Sequence, residues 1–160
     1  MKPSSSSWSL GAIALSVVGC GGTDSSDCTL LACASSFVVD FVRTGAWNPG
    51  EYRIRVVTED RSVDCTTSLP LSCNAPSPCP ADANVQLLLV GCNLAPSEHY
   101  LGGVEFAQGA TPASVTVSVF HDEQLLGEGS YRPTYTTSNP NGPDCEPTCR
   151  TSPPERIELP

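Results

Sequence analysis

The sequence predicts an all-β protein, built as an antiparallel β-sandwich of about seven to nine strands and reinforced by disulfides. Short apolar runs alternate with polar residues at a period of two, as in half-buried strands. Turn-forming residues separate the runs at about every eight to twelve positions, and no long amphipathic helix, heptad or internal repeat is present. The chain also contains nine cysteines among its 160 residues, which suits a disulfide-reinforced domain.

The first predicted strands lie between residues 37 and 57. In 37–42, three apolar side chains share one face with a period of two. An Asn-Pro-Gly turn at 48–50 leads into the clearest strand, in which Tyr52, Ile54 and Val56 alternate with charged residues. We expect Tyr52 to lie in the core.

A hairpin and a long loop follow. The polar break at 59–61 connects the strand at 51–57 to the alternating run 63–69, which predicts a hairpin with Cys65 on its inner face. Residues 70–84 are rich in proline and have no periodicity, so they predict a loop. The run 85–94 has partly helical spacing, but it is short and ends near a glycine, which favours a buried strand.

The second half of the chain adds further strands and turns. Residues 95–100 predict a solvated polar loop that contains His99, and 121–124 and 139–143 predict turns. The predicted strands are, in order, 104–106, 115–119, 125–129 with a continuation through Tyr131, Pro133 and Tyr135, and an edge strand at 156–159.

The N-terminus has the layout of a secretory signal peptide. Lys2 precedes an apolar run from Leu10 to Val18, and the sequence Val17-Val18-Gly19-Cys20 resembles a bacterial lipobox. The apolar run is much shorter than the roughly 20 residues of a membrane-spanning helix. A buried N-terminal strand or helix is disfavoured because a polar Gly/Ser-rich stretch follows directly.

This motif divides the chain. We expect residues 1–19 to be a lipoprotein signal peptide, 20–27 a lipidated flexible tether, and 28–160 the β-sandwich domain. Cys20 would carry the lipid, including a diacylglycerol thioether and often a third acyl chain such as palmitate. Gly21 stands where enteric bacteria place an aspartate for inner-membrane retention, so the outer membrane is the expected destination, with the domain periplasmic or surface-exposed.

The charge of the chain excludes several partners. The formal net charge is −9, and removing Lys2 with the signal leaves seven arginines against seventeen acidic residues, or −10, and no lysine. Nucleic acids and anionic membrane surfaces are recognised by basic patches, so neither is an expected partner through charge. The expected attachment to the membrane is the lipid at Cys20.

The cysteine count supports the same division. If Cys20 is lipidated, an even set of eight remains, able to form four disulfides in an oxidising compartment. The set comprises Cys28, Cys33, Cys65, Cys73, Cys79, Cys92, Cys145 and Cys149. Zinc is disfavoured because no Cys-x-x-Cys pair occurs and no histidine stands beside a cysteine.

Four segments of the chain resemble small cysteine-rich predicted lipoproteins of high-GC Gram-negative bacteria. They are the lipobox, the strand at 50–56, the hairpin at 115–126 and the cysteine-containing tail at 140–149. The resemblance implies an immunoglobulin-like or prealbumin-like sandwich and carries no assigned activity. In an immunoglobulin-like order the first and last strands can run side by side. That order would bring Cys28 and Cys33 near Cys145 and Cys149. Cys73 and Cys79 lie in one proline-rich loop and are expected to pair locally, which leaves Cys65 and Cys92 to join two strands.

The sequence offers little catalytic chemistry. A hydrolase would have to use His99, beside Ser97 and Glu98, or His121, beside Asp122. No nucleophile elbow or phosphate-binding loop is present, and the acidic residues cluster at turns without the spacing of a calcium loop. We therefore expect no catalytic residue, no metal and no cofactor.

The prediction for function is a membrane-anchored lipoprotein of the cell envelope that acts as a non-catalytic binding or structural module. Its ligand would be an envelope protein or glycan, bound through loops at an end of the sandwich. Among its tyrosines and Trp47, the tryptophan is the one most expected to be exposed, next to its turn. The alternative is a small exported hydrolase that uses His99 or His121.

Overall fold

The computed structural model describes residues 28, 31–81 and 83–160. The predicted signal peptide, Cys20 and the tether lie outside the described residues. The described part contains ten strands and one short 3-10 turn at Pro96–Glu98. The strands are β1 (Phe37–Arg43), β2 (Gly50–Thr58), β3 (Ser62–Leu69), β4 (Val85–Val90), β5 (Tyr100–Phe106), β6 (Val115–His121), β7 (Gln124–Tyr131), β8 (Thr136–Ser138), β9 (Cys149–Thr151) and β10 (Glu155–Leu159).

Two four-stranded sheets form the sandwich. One has the order β10-β1-β5-β4 and the other β3-β2-β6-β7, while β8 and β9 form a separate two-stranded ribbon. The pairing is antiparallel throughout except between β1 and β10, which run parallel. The predicted all-β, disulfide-reinforced sandwich is confirmed, and the short strands β8 and β9 raise the strand number above the expected seven to nine.

Inward-facing side chains of both large sheets form one hydrophobic core. In β2 the burial alternates as predicted, and Tyr52 and Ile54 are fully buried. The aromatic rings of Phe37 and Phe106 pack against each other with centroids 5.9 Å apart. The period-two pattern therefore identified the core face correctly, because one face of each sheet is removed from water.

One side of the sandwich is closed by contact between β7 and β10. An ideal Cβ on Gly127 would lie 2.7 Å from Leu159 Cδ2 and 3.2 Å from Ile157 Cγ2, so the glycine leaves room for these two side chains of β10. The hydroxyl of Tyr131 donates to the carbonyl of Arg156 at 2.8 Å, which ties the two strands across the sheets. β10 is the first strand in the order of its sheet, so the final strand of the chain is an edge strand, as predicted.

On the opposite side, the loop 70–84 covers the free edges of β3 and β4. The amide of Thr66 in β3 donates to the carbonyl of Pro78 at 3.1 Å, so the loop satisfies part of the exposed edge. Disulfides join Cys65 to Cys79 and Cys73 to Cys92. The predicted Cys73–Cys79 and Cys65–Cys92 pairs are wrong. Each loop cysteine is bonded to a cysteine outside the loop, Cys79 to Cys65 in β3 and Cys73 to Cys92 just after β4.

Two further disulfides hold the N-terminal segment, Cys28–Cys145 and Cys33–Cys149. The predicted proximity of the first and last cysteines is confirmed. The side chain of the buried Asn141 adds hydrogen bonds in both directions to the backbone of Leu31, at 2.8 and 3.0 Å. The chain is therefore fastened firmly where β1 begins, and we name this the proximal end.

Other boundaries differ from the sequence prediction. The strand expected over 85–94 ends at Val90, and residues 132–135 do not continue β7. Pro133 lies in this stretch, and because proline cannot donate a ladder hydrogen bond it disfavours a longer strand. No helix in the described part of the chain has the length and apolar character needed to cross a membrane.

Candidate functional site

The candidate site lies at the end of the sandwich where β1 finishes and β2 starts. β1 runs from Phe37, which pairs with Phe106 at the proximal end, to Arg43, so the two ends are about 20 Å apart. The turn 44–49, the 3-10 turn Pro96–Glu98 and the turn between β6 and β7 all lie at this opposite end. We name it the distal end.

Tyr52 organises the aromatic groups of the distal end. Its ring stacks on His121 with centroids 4.6 Å apart, and Trp47 meets it edge-on at 5.3 Å. Its hydroxyl donates to the carbonyl of Asn48 at 2.9 Å, which fixes the turn before β2. Burial raises the pKa of Tyr52 above its usual value, so the phenol stays protonated and remains a donor. The prediction that Tyr52 belongs to the core is confirmed.

The exposure predicted for Trp47 is wrong. Its ring is only partly exposed, because it packs against Tyr52 and the guanidinium of Arg43 lies 5.5 Å from its centroid. The more exposed aromatic residue at this end is Tyr100, at 39%. Tyr100 begins β5, where its side chain points away from the core while Leu101 points inward.

His99 is buried rather than solvated, so the prediction for the loop 95–100 is wrong at this residue. Its Nδ1 accepts the backbone N–H of Leu71 at 2.9 Å, which attaches the 3-10 turn to the start of the loop 70–84. Accepting through Nδ1 leaves Nε2 as the protonated nitrogen of the neutral ring. Gly91 lies close to this residue, because a Cβ added to Gly91 would lie only 3.2 Å from Cδ2 of the imidazole.

His121 occupies the last position of β6, near the surface turn that the sequence predicts. Its Nε2 lies 3.1 Å from the carbonyl oxygen of Pro49 and 3.5 Å from Oδ2 of Asp122. The other carboxylate oxygen of Asp122 accepts the amide of Glu51 at 3.0 Å. These contacts join the β6–β7 turn to the beginning of β2.

Neither histidine belongs to a hydrolytic triad formed by the described residues. In the part of the chain that the structure describes, no serine or threonine hydroxyl hydrogen-bonds to either imidazole. Ser97 and Glu98, adjacent to His99 in sequence, belong to the 3-10 turn, and Glu98 Oε2 accepts the amide of Ala95 at 3.3 Å. The geometry gives both imidazoles a structural contact with the backbone.

The acidic turn residues also have structural contacts. The carboxylate of Glu59 accepts the amides of Ala113 and Ser114 at 2.8 and 3.2 Å, and these bonds hold its pKa below the usual range. Asp64 pairs with Arg55, whose guanidinium lowers the pKa of that carboxyl. Among the described residues no group of three or more His, Cys, Asp and Glu side chains is arranged to hold a metal.

A cavity of about 310 Å³ opens at the distal end between the turn 44–49 and the 3-10 turn. Its wall combines a cation, aromatic rings and polar groups. The lining residues are Phe41, Arg43, Gly45, Ala46, Trp47, Ser97, Glu98, His99 and Tyr100. Small-molecule sites have volumes of about 300 Å³ and above, so the cavity is large enough for a small ligand.

No family model, no curated protein and no solved structure matches the chain. The structure is a disulfide-reinforced β-sandwich with a cavity at its distal end. Sequence reasoning named Trp47 and His99 individually but did not bring them together with Arg43 and Tyr100. Their juxtaposition depends on which ends of β1 and β5 meet.

The contact between His99 and Leu71 leads to a stability prediction. Replacing His99 by alanine leaves the buried Leu71 amide without an acceptor, which should lower the free energy of unfolding by about 1–3 kcal/mol. His99→Asn places an amide oxygen close to the position of Nδ1 and should recover much of the loss. Urea unfolding of the three oxidised proteins measures both effects, and equal stabilities for the alanine and asparagine variants would contradict the structural role.

Proposed function

We propose that this protein is an exported lipoprotein, anchored to the outer membrane through Cys20, and that it acts as a non-catalytic binding or structural module of the cell envelope. Four disulfides among the described residues support export, because such bonds persist in oxidising compartments. The distal cavity carries the binding part of the proposal. Its ligand would be an envelope protein or a glycan.

The orientation of the fold supports the distal end as the binding end. The chain enters the sandwich at the proximal end, next to the Cys28–Cys145 and Cys33–Cys149 bridges. A lipid at Cys20 would therefore hold that end toward the bilayer, separated from it by a short tether. The distal cavity would face away from the membrane, where a partner could reach it without competing with the lipid surface.

The alternative, a small hydrolase using His99 or His121, has less support. The imidazole of His99 accepts a backbone amide, and that of His121 is stacked on a buried tyrosine. A base that serves catalysis needs a nitrogen within reach of the proton it removes. Hydrolysis of an ester, glycoside or peptide substrate that is lost in His121→Asn would favour the enzyme over the binding module.

The anchor is tested at Cys20. We expect Cys20→Ser to abolish incorporation of a fatty-acid analogue and to move the protein from the membrane fraction to the soluble fraction, because the thioether cannot form. Metabolic labelling followed by fractionation measures both. Cys28→Ser serves as the control, since it should keep the label, and equal labelling of wild type and Cys20→Ser would refute the anchor.

The binding end is tested by capture of envelope components. We expect Tyr100→Ala to reduce the capture of a specific envelope component at least several-fold, because it removes the exposed aromatic ring of the distal cavity. Leu31→Ala is the matched control, since Leu31 is an apolar residue 57% exposed at the proximal end. Capture that depends on Leu31 and not on Tyr100 would show binding at the proximal end and would contradict this proposal.

A further inference from the structure

Within the part of the chain that the structure describes, Arg43 has no carboxylate partner. Its Nε is buried without a hydrogen-bond partner, and its Nη1 reaches only the hydroxyl of Tyr52, at 3.5 Å. Among the described residues no carboxylate lies within 4.0 Å of this guanidinium. Arg53 also has a buried nitrogen without a hydrogen-bond partner, Nη1, but its guanidinium forms ion pairs with Asp64 and Glu123. Arg55 pairs with Asp64.

The missing acceptor is informative because the protein is acidic. With seventeen acidic residues against seven arginines outside the predicted signal, carboxylate partners are abundant. A partly buried guanidinium normally has its donors satisfied, since an unpaired buried donor costs free energy. Arg43 instead faces a cavity, over the ring of Trp47. A planar oxyanion in that cavity would give the guanidinium the anionic partner that no carboxylate of the described residues supplies.

The rest of the cavity wall indicates what carries the oxyanion. Tyr100 and Trp47 offer partly exposed aromatic surface, which packs against the apolar C–H face of a sugar ring. Ser97 and Glu98 offer oxygen acceptors for hydroxyl groups. An extended peptide would instead use a free strand edge or a long groove. The cavity is compact and lies at a sandwich end.

We propose that the distal cavity binds a carboxylate-bearing saccharide, with the sugar carboxylate on the guanidinium of Arg43. Tyr100 and Trp47 then pack on the ring, and Ser97 and Glu98 accept hydrogen bonds from its hydroxyls. This inference rests on the proposed function and deepens it, because it names the ligand class of the same cavity. The protein thereby discriminates acidic from neutral glycans by one arginine.

The test uses calorimetric titration of the oxidised protein with trigalacturonic acid and with its methyl ester, which has the same rings without the charge. We expect the acid to bind at least about tenfold more tightly than the ester, since a hydrogen bond to a charged group contributes about 1.5–3 kcal/mol. Arg43→Gln should remove that difference by lowering the affinity for the acid to that for the ester. Arg132→Gln, at an exposed arginine outside the cavity, is the control and should behave as wild type.

Each other outcome has a defined meaning. Equal affinity for acid and ester in the wild type overturns the inference without reference to any variant, so instability of Arg43→Gln cannot hide the answer. Equal binding of tri-aspartate overturns the saccharide assignment. If neither sugar binds while capture of an envelope component still depends on Tyr100, the inference fails and the proposed function stands. If neither sugar binds and the wild-type protein captures no envelope component, the proposed function fails too.

Discussion

Gly103→Ala is expected to lower the free energy of unfolding by about 3–6 kcal/mol, a large share of the roughly 5–15 kcal/mol that stabilises a typical domain. Gly103 sits in the middle strand β5, paired with Asp40 of β1 on one side and Leu88 of β4 on the other. Its φ is +150°, a conformation that side chains rarely adopt, and an added Cβ would overlap the carbonyl oxygen of Val39. Backbone atoms cannot move aside as a flexible side chain can, so both strain and overlap contribute.

The neighbouring glycine provides a matched control. A Cβ on Gly102 would lie 3.1 Å from Val90 Cγ2 and no closer than 3.4 Å to any other atom, so only this one methyl group would have to give by a few tenths of an ångström. We expect Gly102→Ala to change stability by less than about 1 kcal/mol. Denaturant unfolding of both variants measures the contrast. A Gly103→Ala protein as stable as Gly102→Ala would show that β1 and β5 can separate slightly at low cost.

The sandwich could be predicted from the sequence because its strands carry a local signal. The alternation in Tyr52, Ile54 and Val56 against charged neighbours fixes both the strand and its buried face, and burial of one sheet face is what the period of two reports. The hairpin of β2 and β3 follows for the same reason, since its two runs are adjacent in sequence and share a short turn.

What sequence reasoning missed depends on contacts between distant segments. His99 has the polar neighbours of a solvated loop, yet it is buried because the start of the loop 70–84 packs on it. Cys73 pairs with Cys92 and not with Cys79 because that loop crosses the gap between the sheets. Likewise, the position of Arg43 in the cavity follows from the register of β1, and no local pattern indicates that it lacks a carboxylate.

Removing both proximal disulfides should cost more than the sum of removing each one, by about 2 kcal/mol. Cys28–Cys145 and Cys33–Cys149 each span well over a hundred residues, with sequence separations of 117 and 116. While either bridge remains, opening the other releases a loop of only roughly ten residues, which costs about 3 kcal/mol. Opening the remaining bridge frees a loop of more than a hundred residues in the unfolded chain, which lowers the free energy of unfolding by about 5 kcal/mol.

A double-mutant cycle with alanine pairs measures this coupling. The expected losses are about 3 kcal/mol for Cys28→Ala with Cys145→Ala, about 3 for Cys33→Ala with Cys149→Ala, and about 8 for all four together. Packing losses at the buried Cys145 and Cys149 enter the single and combined variants alike, so they largely cancel in the coupling term. Additive losses would show that each bridge acts through local packing. A positive coupling would instead mean that the two bridges act as one clamp beside the tether, and that either alone keeps the N-terminal segment attached to the sandwich.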